Sequence, residues 1–207
     1  IWGDIPELDC DLEAQRLAGV SEESIQASYF MNIMDADTLP FYKVDIVDYT
    51  AKENVAFIDP AREGKDFTAI SVAGRNFNNL VVSGWAFRKA WYDCLDEFAE
   101  IFTTLKVNRV CIETNGIGEL AVRQMRSLGI PTIGRNTTSN KHARIMNIAS
   151  YVSDIKLFEM TSGSGALLQG NKKYIEQIKN YEYNAEHDDA PDSLAGVAIF
   201  MGLISDD

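Results

Sequence analysis

The sequence predicts an α/β fold: a mixed sheet in which three antiparallel strands precede alternating strands and helices, with helices flanking the sheet. Three observations carry that expectation. Apolar runs at 55–58, 67–73 and 80–87 succeed one another with only turn-forming residues between them. From residue 93 onward, segments with helical apolar spacing alternate with short apolar runs. The chain has 207 residues and is 46% hydrophobic, enough for a core in one domain of ordinary size.

Residues 1–50 differ from the rest. They are rich in acids and hold no strong strand pattern. Stretches 12–17 and 21–34 have helical character, with Ser21 as an N-cap and Glu22 and Glu23 in the first turn. Residues 35–40 break the pattern. This segment reads as a linker or arm from a preceding domain, leaving 51–207 as the main domain.

Within that domain, strand 55–58 opens a meander with strands 67–73 and 80–87, the last two joined by the polar turn 74–79. Leu95, Phe98, Ile101, Phe102 and Leu105 share one face of a helix over 93–105. A fourth strand covers 109–112. A helix over 118–128 ends at Gly129. Thr132 and Ile133 start a short fifth strand, followed by a helix over 141–152 with Ile145, Ile148, Ala149 and Val152 aligned. A short strand at 155–158 precedes a Gly/Ser-rich loop over 161–170 and a helix over 171–181. The last helix, 193–204, is apolar nearly all round and therefore buried. This order, β-β-β-α-β-α-β-α and then C-terminal helices, is the layout of the ribonuclease-H-like fold.

Composition excludes several classes. No apolar run reaches the roughly 18 residues that a membrane span requires. The start, Ile1-Trp2-Gly3-Asp4, lacks the basic and apolar regions of a signal peptide. It also lacks an initiator Met, so a fragment of a longer protein is expected. Cys10, Cys94 and Cys111 form no close-spaced pair and read as reduced thiols, not a disulfide frame or a zinc site. The net charge of −12 argues against strong nucleic-acid binding by this piece alone.

Three acidic signatures concentrate the chemistry. Phe57-Ile58-Asp59-Pro60-Ala61 puts a carboxylate at the end of the first strand. The residue is either a turn-starting Asp before Pro or a ligand aimed into a site by a central strand. Gly64-Lys65 invites a phosphate-loop reading, but Asp59 and Asp66 stand where that motif needs Gly and Ser or Thr. Lys65 and Arg62 remain candidates for phosphate contact or for a plain solvated turn, and Asp66 for a supporting acid or a turn residue.

Cys111-Ile112-Glu113-Thr114-Asn115-Gly116 ends a second strand on Glu113. The alternative is a polar strand end entering a helix. His187-Asp188-Asp189-Ala190-Pro191-Asp192 is the most specific signature. Asp192 opens the buried helix, where an N-cap role would also suit it. Three carboxylates so close together repel one another unless cations neutralise them. His187 either orients a ligand, touches phosphate, or has no role. His142 reads as a helix-surface residue.

Oxygen ligands of this kind suit Mg²⁺ or Mn²⁺. Two such ions about 3.5–4 Å apart serve phosphodiester hydrolysis. Asp59 would bridge them, with Glu113 and Asp192 completing one ion each. A Ser-His-Asp hydrolase has no support, because Gly163-Ser164-Gly165 is one residue short of the nucleophile motif.

Asp59-Pro60-Ala61 with Gly64-Lys65-Asp66 and Thr68, then Ile112-Glu113-Thr114-Asn115, then the closing run from His187 to Leu194 resembles the C-terminal nuclease domain of tailed-bacteriophage terminase large subunits. The resemblance covers about 54–204. It implies a ribonuclease-H-like fold and a two-metal-ion DNA endonuclease that cuts concatemeric viral DNA during packaging. The implied metal ligands are Asp59, Glu113 and Asp192, with Asp188 or Asp189 assisting or replacing Asp192.

The implied cofactors are two Mg²⁺ or Mn²⁺ ions. The implied partners are double-stranded DNA, an N-terminal packaging ATPase outside this chain, the portal and the small terminase subunit, with no membrane. The implied location is the host cytoplasm. Lys65, Arg135, Lys141 and Arg144 are candidate DNA-phosphate contacts; for the last three the alternative is a solvated helix face. A junction resolvase or RNase H is the alternative within the fold. Outside catalysis, the alternative is a silent module docking to a portal or partner subunit.

Overall fold

The computed structural model describes residues 39–183 and 185–204. The chain divides into two units, Ile1–Thr38 and Leu39–Asp207. The helices expected at 12–17 and 21–34 lie outside the described residues.

The strands of the second unit are β1 (Asp45–Val47), β2 (Asn54–Asp59), β3 (Thr68–Asn76), β4 (Asn79–Phe87), β5 (Val107–Glu113), β6 (Thr132–Arg135) and β7 (Ile155–Phe158). They form one sheet in the order β1-β7-β4-β3-β2-β5-β6. β2, β3 and β4 are the expected antiparallel meander. β5 runs parallel to β2, and β6 parallel to β5. β7 adds in parallel beyond β4, and β1 beyond β7. β1 therefore draws residues of the stretch read as an arm into the sheet. β2 is an interior strand, but the middle position belongs to β3.

The helices are α1 (Leu95–Thr104), α2 (Gly118–Ser127), α3 (Lys141–Ala149), α4 (Gly165–Lys179) and α5 (Asp189–Phe200). Side chains alternate across each strand, so the sheet carries a core on each face. On one face Ala56, Ile58, Ile70, Val72 and Ile112 pack against α1 and α2 through Phe98, Ile101, Phe102, Val122 and Met125. On the other, Val55, Phe57, Ala73, Val82 and Cys111 pack against α3, α4 and α5 through Ile145, Ile148, Tyr174, Ile178 and Leu194.

Three elements differ from the sequence reading. The turn expected over 74–79 shrinks, because β3 and β4 pair out to Asn76↔Asn79. Phe77, at the tip, adopts φ +53° and is almost fully exposed. The loop expected over 161–170 is half helix, since α4 starts at Gly165. Leu167, Gly170, Asn171, Tyr174, Gln177 and Ile178 are buried on it at helical spacing. Gly170 is small for contact rather than for flexibility: a Cβ there would meet the Phe87 ring at 2.6 Å.

The last helix begins at Asp189 rather than Ser193. Pro191 falls in its first turn, where a missing N–H costs nothing. Asp192 therefore lies inside the helix and is not its N-cap; its own N–H closes a helical bond to the Asp188 carbonyl at 3.0 Å.

Candidate metal centre

β2 and β5 run parallel and reach the same end of the sheet, pairing up to Ile58↔Ile112. Asp59 and Glu113 are the next residue on each. Each lies two positions past a residue on the sheet face that carries α3, α4 and α5, Phe57 and Cys111, so both carboxylates lie on that face. α5 can approach because Gly196 has no side chain. A Cβ there would meet the Phe57 ring at 2.3 Å.

A buried hydroxyl chain fixes the approach. The Tyr174 hydroxyl lies 2.5 Å from Ser71 Oγ, Ser71 Oγ donates to Ser193 Oγ at 2.9 Å, and Ser193 Oγ donates to the Phe57 carbonyl at 3.3 Å. Ser193 directly follows Asp192, so the chain sets where Asp192 sits against β2. α4 adds a second tie, with Gln177 Oε1 accepting the Ala190 N–H at 3.1 Å. The loop after Asp59 is pinned too: the Ala61 N–H donates to Thr68 Oγ1 at 3.1 Å, and that hydroxyl donates to the Lys89 carbonyl at 2.9 Å.

Asp59, Glu113 and Asp192 each offer a carboxylate oxygen within 4.8 Å of the others. Glu113 and Asp192 are buried and Asp59 half-buried. Burial raises the Asp59 carboxyl well above the ordinary carboxylate range; Lys141 opposes this, and Asp192, Glu113 and Asp189 add to it. Glu113 is raised as well, by burial first and then by Asp192, against the pull of Arg144. Carboxyls held this way favour a proton or a cation at the site. The donors are all oxygen, which fits Mg²⁺ or Mn²⁺.

Two basic residues of α3 reach into the cluster. Arg144 Nη2 lies 2.5 Å from Asp192 Oδ1 and 3.9 Å from Glu113 Oε1. Its Nη1 donates to the Ser139 carbonyl at 3.0 Å. Lys141 Nζ is 2.7 Å from Asp188 Oδ1 and 3.5 Å from Asp192 Oδ2. These carboxylates hold the Lys141 ammonium above its usual value even though burial pulls it down. Asn115 Nδ2 donates to Glu113 Oε1 at 3.0 Å and to the Thr137 carbonyl at 2.8 Å. It orients Glu113 and ties the segment before α3 to β5.

The fold thus brings Asp59, Glu113 and Asp192 together and leaves Asp188 half-exposed on Lys141. Asp189 is buried at the start of α5, beside Asp66 and His187. Lys65 is exposed on the loop after β2. Arg135 ends β6 in register with Glu113. Arg144 is not on a solvated face: it is buried with Ile145, Ile148 and Ala149. Its helical phase carries that signal, since 144 lies one turn before the buried Ile148. The Ser71–Ser193 chain has no comparable local signal, because its partners are distant in sequence. His142 also has a partner, its Nδ1 lying 2.8 Å from the Tyr181 hydroxyl.

No protein-family model matches the sequence, and no curated protein matches it by sequence. Solved structures do match the fold. The large terminase nuclease of thermophilic phage G20c is 16% identical at a TM-score of 0.53, covering 79% of this chain and 94% of that one. The human cytomegalovirus terminase nuclease domain is 16% identical at 0.53, over 74% of this chain and 84% of that one. The large terminase of another thermophilic bacteriophage is 14% identical at 0.54, over 78% of this chain. The match spans only 45% of that longer protein. The G20c nuclease has been seen with zinc, magnesium and cobalt, and the cytomegalovirus domain after a manganese soak. The fold is the expected ribonuclease-H-like mixed sheet of terminase nuclease domains.

Proposed function

We propose that this chain is a metal-dependent DNA endonuclease domain of a large terminase subunit, cutting concatemeric viral DNA during genome packaging. The observation that carries the reading is the convergence of Asp59, Glu113 and Asp192, from three separate elements, at one end of the sheet. The fold shared with terminase nucleases supports it.

In this reading Asp59, Glu113 and Asp192 would together hold the divalent ions. Such ions, when bound, supply an activated water and neutralise charge on the leaving oxygen of a phosphodiester. The chain's own residues do the rest. Asn115 holds Glu113 in one orientation. Arg144 and Lys141 balance Asp192 and Asp188, and present positive charge beside the place where a phosphate would lie. Lys65 and Arg135 extend that role along the rim. Asp188 assists Asp192 through the shared lysine. An ATPase domain, a portal and a small terminase subunit are the partners that this reading assigns, acting in the host cytoplasm.

Asp59→Ala should abolish Mn²⁺-dependent plasmid nicking while the circular-dichroism spectrum stays native. Cleavage retained by a folded Asp59→Ala protein would sink the assignment. Linear duplex should be cut in preference to four-way junctions and RNA–DNA hybrids. The reverse order would place the chain with resolvases or RNases H. Failure to bind Mg²⁺ or Mn²⁺ at all would make it a docking module.

A further inference from the structure

The sheet face that carries α1 and α2 holds a cavity that the metal centre does not use. β7 pairs with β4 only as far as Ser83↔Phe158, whereas β4 continues to Phe87. The sheet thus loses a strand beside Trp85, and a cavity of about 470 Å³ opens there, lined by both Trp85 and Phe158. That is the size of a small-molecule site. Its other walls come from α1, the segment after β1, and the loop between β7 and α4. Asn171 fixes that loop. Its Nδ2 donates to the Gly84 and Phe158 carbonyls at 3.0 and 3.1 Å, and its Oδ1 accepts the Met160 N–H at 2.7 Å. The Glu159 N–H donates to the Val47 carbonyl at 3.0 Å and ties β1 to the same loop. The cavity is formed before any ligand arrives.

The lining dictates what would fill it. Trp85 is only 2% exposed, and its Nε1 is buried with no hydrogen-bond partner among the described residues. A buried indole N–H normally finds one. It can only donate, so the missing group is an acceptor such as a carbonyl oxygen. Asp48, just after β1, and Glu100, on α1, also line the cavity, and both are exposed. No Lys, Arg or His lines it. The cavity therefore has two negative charges and no positive one. Ile101, Leu105 and Leu167 add buried apolar surface. A buried donor, apolar walls and exposed acids ask for three things in one ligand: an acceptor, an aliphatic stem and a positive charge.

We propose that this cavity binds a small organic cation that carries a carbonyl group at the end away from its charge. The carbonyl accepts the Trp85 N–H, the stem lies on Ile101, Leu105 and Leu167, and the ammonium meets Asp48 and Glu100. The two acids disfavour an anion. A bare diamine leaves the indole N–H unpartnered, and a neutral amide leaves the acids without a counter-charge. The site shares no residue with the Asp59–Glu113–Asp192 set and lies on the other face of the sheet. Its occupancy therefore stands apart from the nuclease reading.

N-acetylputrescine is the probe, with N-butylacetamide as its uncharged counterpart and putrescine as its acceptor-free one. The full chain holds three tryptophans, Trp2, Trp85 and Trp91, so nuclear magnetic resonance of the isotope-labelled protein gives three indole N–H signals. Loss of one signal in Trp85→Phe assigns it, as does elimination with Trp2→Phe and Trp91→Phe. N-acetylputrescine should move the Trp85 indole proton downfield, with half-saturation at about 1 mM, an affinity within reach of so small a ligand. N-butylacetamide should need about fivefold more, the worth of exposed ion pairs, and so should N-acetylputrescine on an Asp48→Asn, Glu100→Gln chain. Both acids are exposed, so this double variant leaves the core intact. Putrescine should leave the Trp85 signal in place. No saturable movement of that signal with N-acetylputrescine would overturn the proposal, with no variant needing to fold. So would equal affinity for N-butylacetamide, equal affinity in the double variant, or the same downfield shift with putrescine.

Discussion

Arg144 is the residue at which stability and the proposed metal site meet. Its guanidinium is buried on Asp192 and close to Glu113. Removing one partner of a buried pair leaves an uncompensated charge and costs roughly 3–5 kcal/mol. Arg144→Gln should therefore lower metal-free stability by about that much in urea denaturation. A divalent ion supplies the missing charge, so Mn²⁺ should stabilise this variant more than the unmutated chain. Equal Mn²⁺ stabilisation of both would show that Arg144 and the metal do not compete for the same carboxylates.

The raised carboxyls give stability a definite pH slope. An unfolded Asp titrates near about 4; Asp189 titrates at about 7 when folded, and Asp59 and Glu113 are also shifted upward. Between those pH values the folded chain holds more protons than the unfolded one, so metal-free stability falls as pH rises from about 4 to 7. Asp59→Asn and Asp189→Asn should each flatten the profile measured with chelator present. A profile as steep in both variants as in the unmutated chain would contradict the assignment of its cause.

At the scale of elements, α5 has to lie close to β2 for the carboxylates to meet, and Gly196 permits this. A methyl group there meets the Phe57 ring, and overpacking of this kind costs typically about 1–3 kcal/mol. Gly196→Ala should lose that stability and weaken Mn²⁺ binding together, as calorimetry and denaturation would show. Gly165→Ala is the control: the added Cβ meets nothing within 4 Å, and the position begins α4. It should be neutral or slightly stabilising. A Gly196→Ala protein that loses stability but binds Mn²⁺ normally would show that Asp192 does not depend on that approach.

The elements also mark what a sequence makes legible. Strand-end acids preceded by apolar runs announced Asp59 and Glu113, because alternation and strand direction are local properties. The meander and the later β/α alternation announced the sheet for the same reason. α4 was hidden because Gly165 and Gly170 read as loop residues, whereas Gly170 is set by the distant Phe87 ring. The start of α5 was hidden because Asp192 read as the residue that opens the helix, whereas the helix begins at Asp189. β1 was hidden because a strand of Asp45–Val47 acquires its pattern only from its partner β7. Local chemistry is readable in order along the chain; contacts that cross it are not.

For the whole molecule, the net charge of −12 bears on the DNA binding that the proposed function requires. Binding to a polyanion relies on Lys and Arg releasing counterions, and here the basic residues nearest the site, Arg144 and Lys141, are already engaged with acids. The chain alone should therefore bind duplex DNA no more tightly than about 10⁻⁴ M at physiological salt, the weak end of non-specific binding. Joining it to a basic DNA-binding module should raise the plasmid nicking rate through effective concentration alone. The metal dependence of nicking should not change, since the proposed function assigns it to the carboxylates. Parallel nicking assays of the free and joined chains across Mn²⁺ concentrations would check both points. Tight DNA binding by the free chain, or a shifted metal dependence on joining, would mean that part of the catalytic electrostatics comes from outside the Asp59–Glu113–Asp192 cluster.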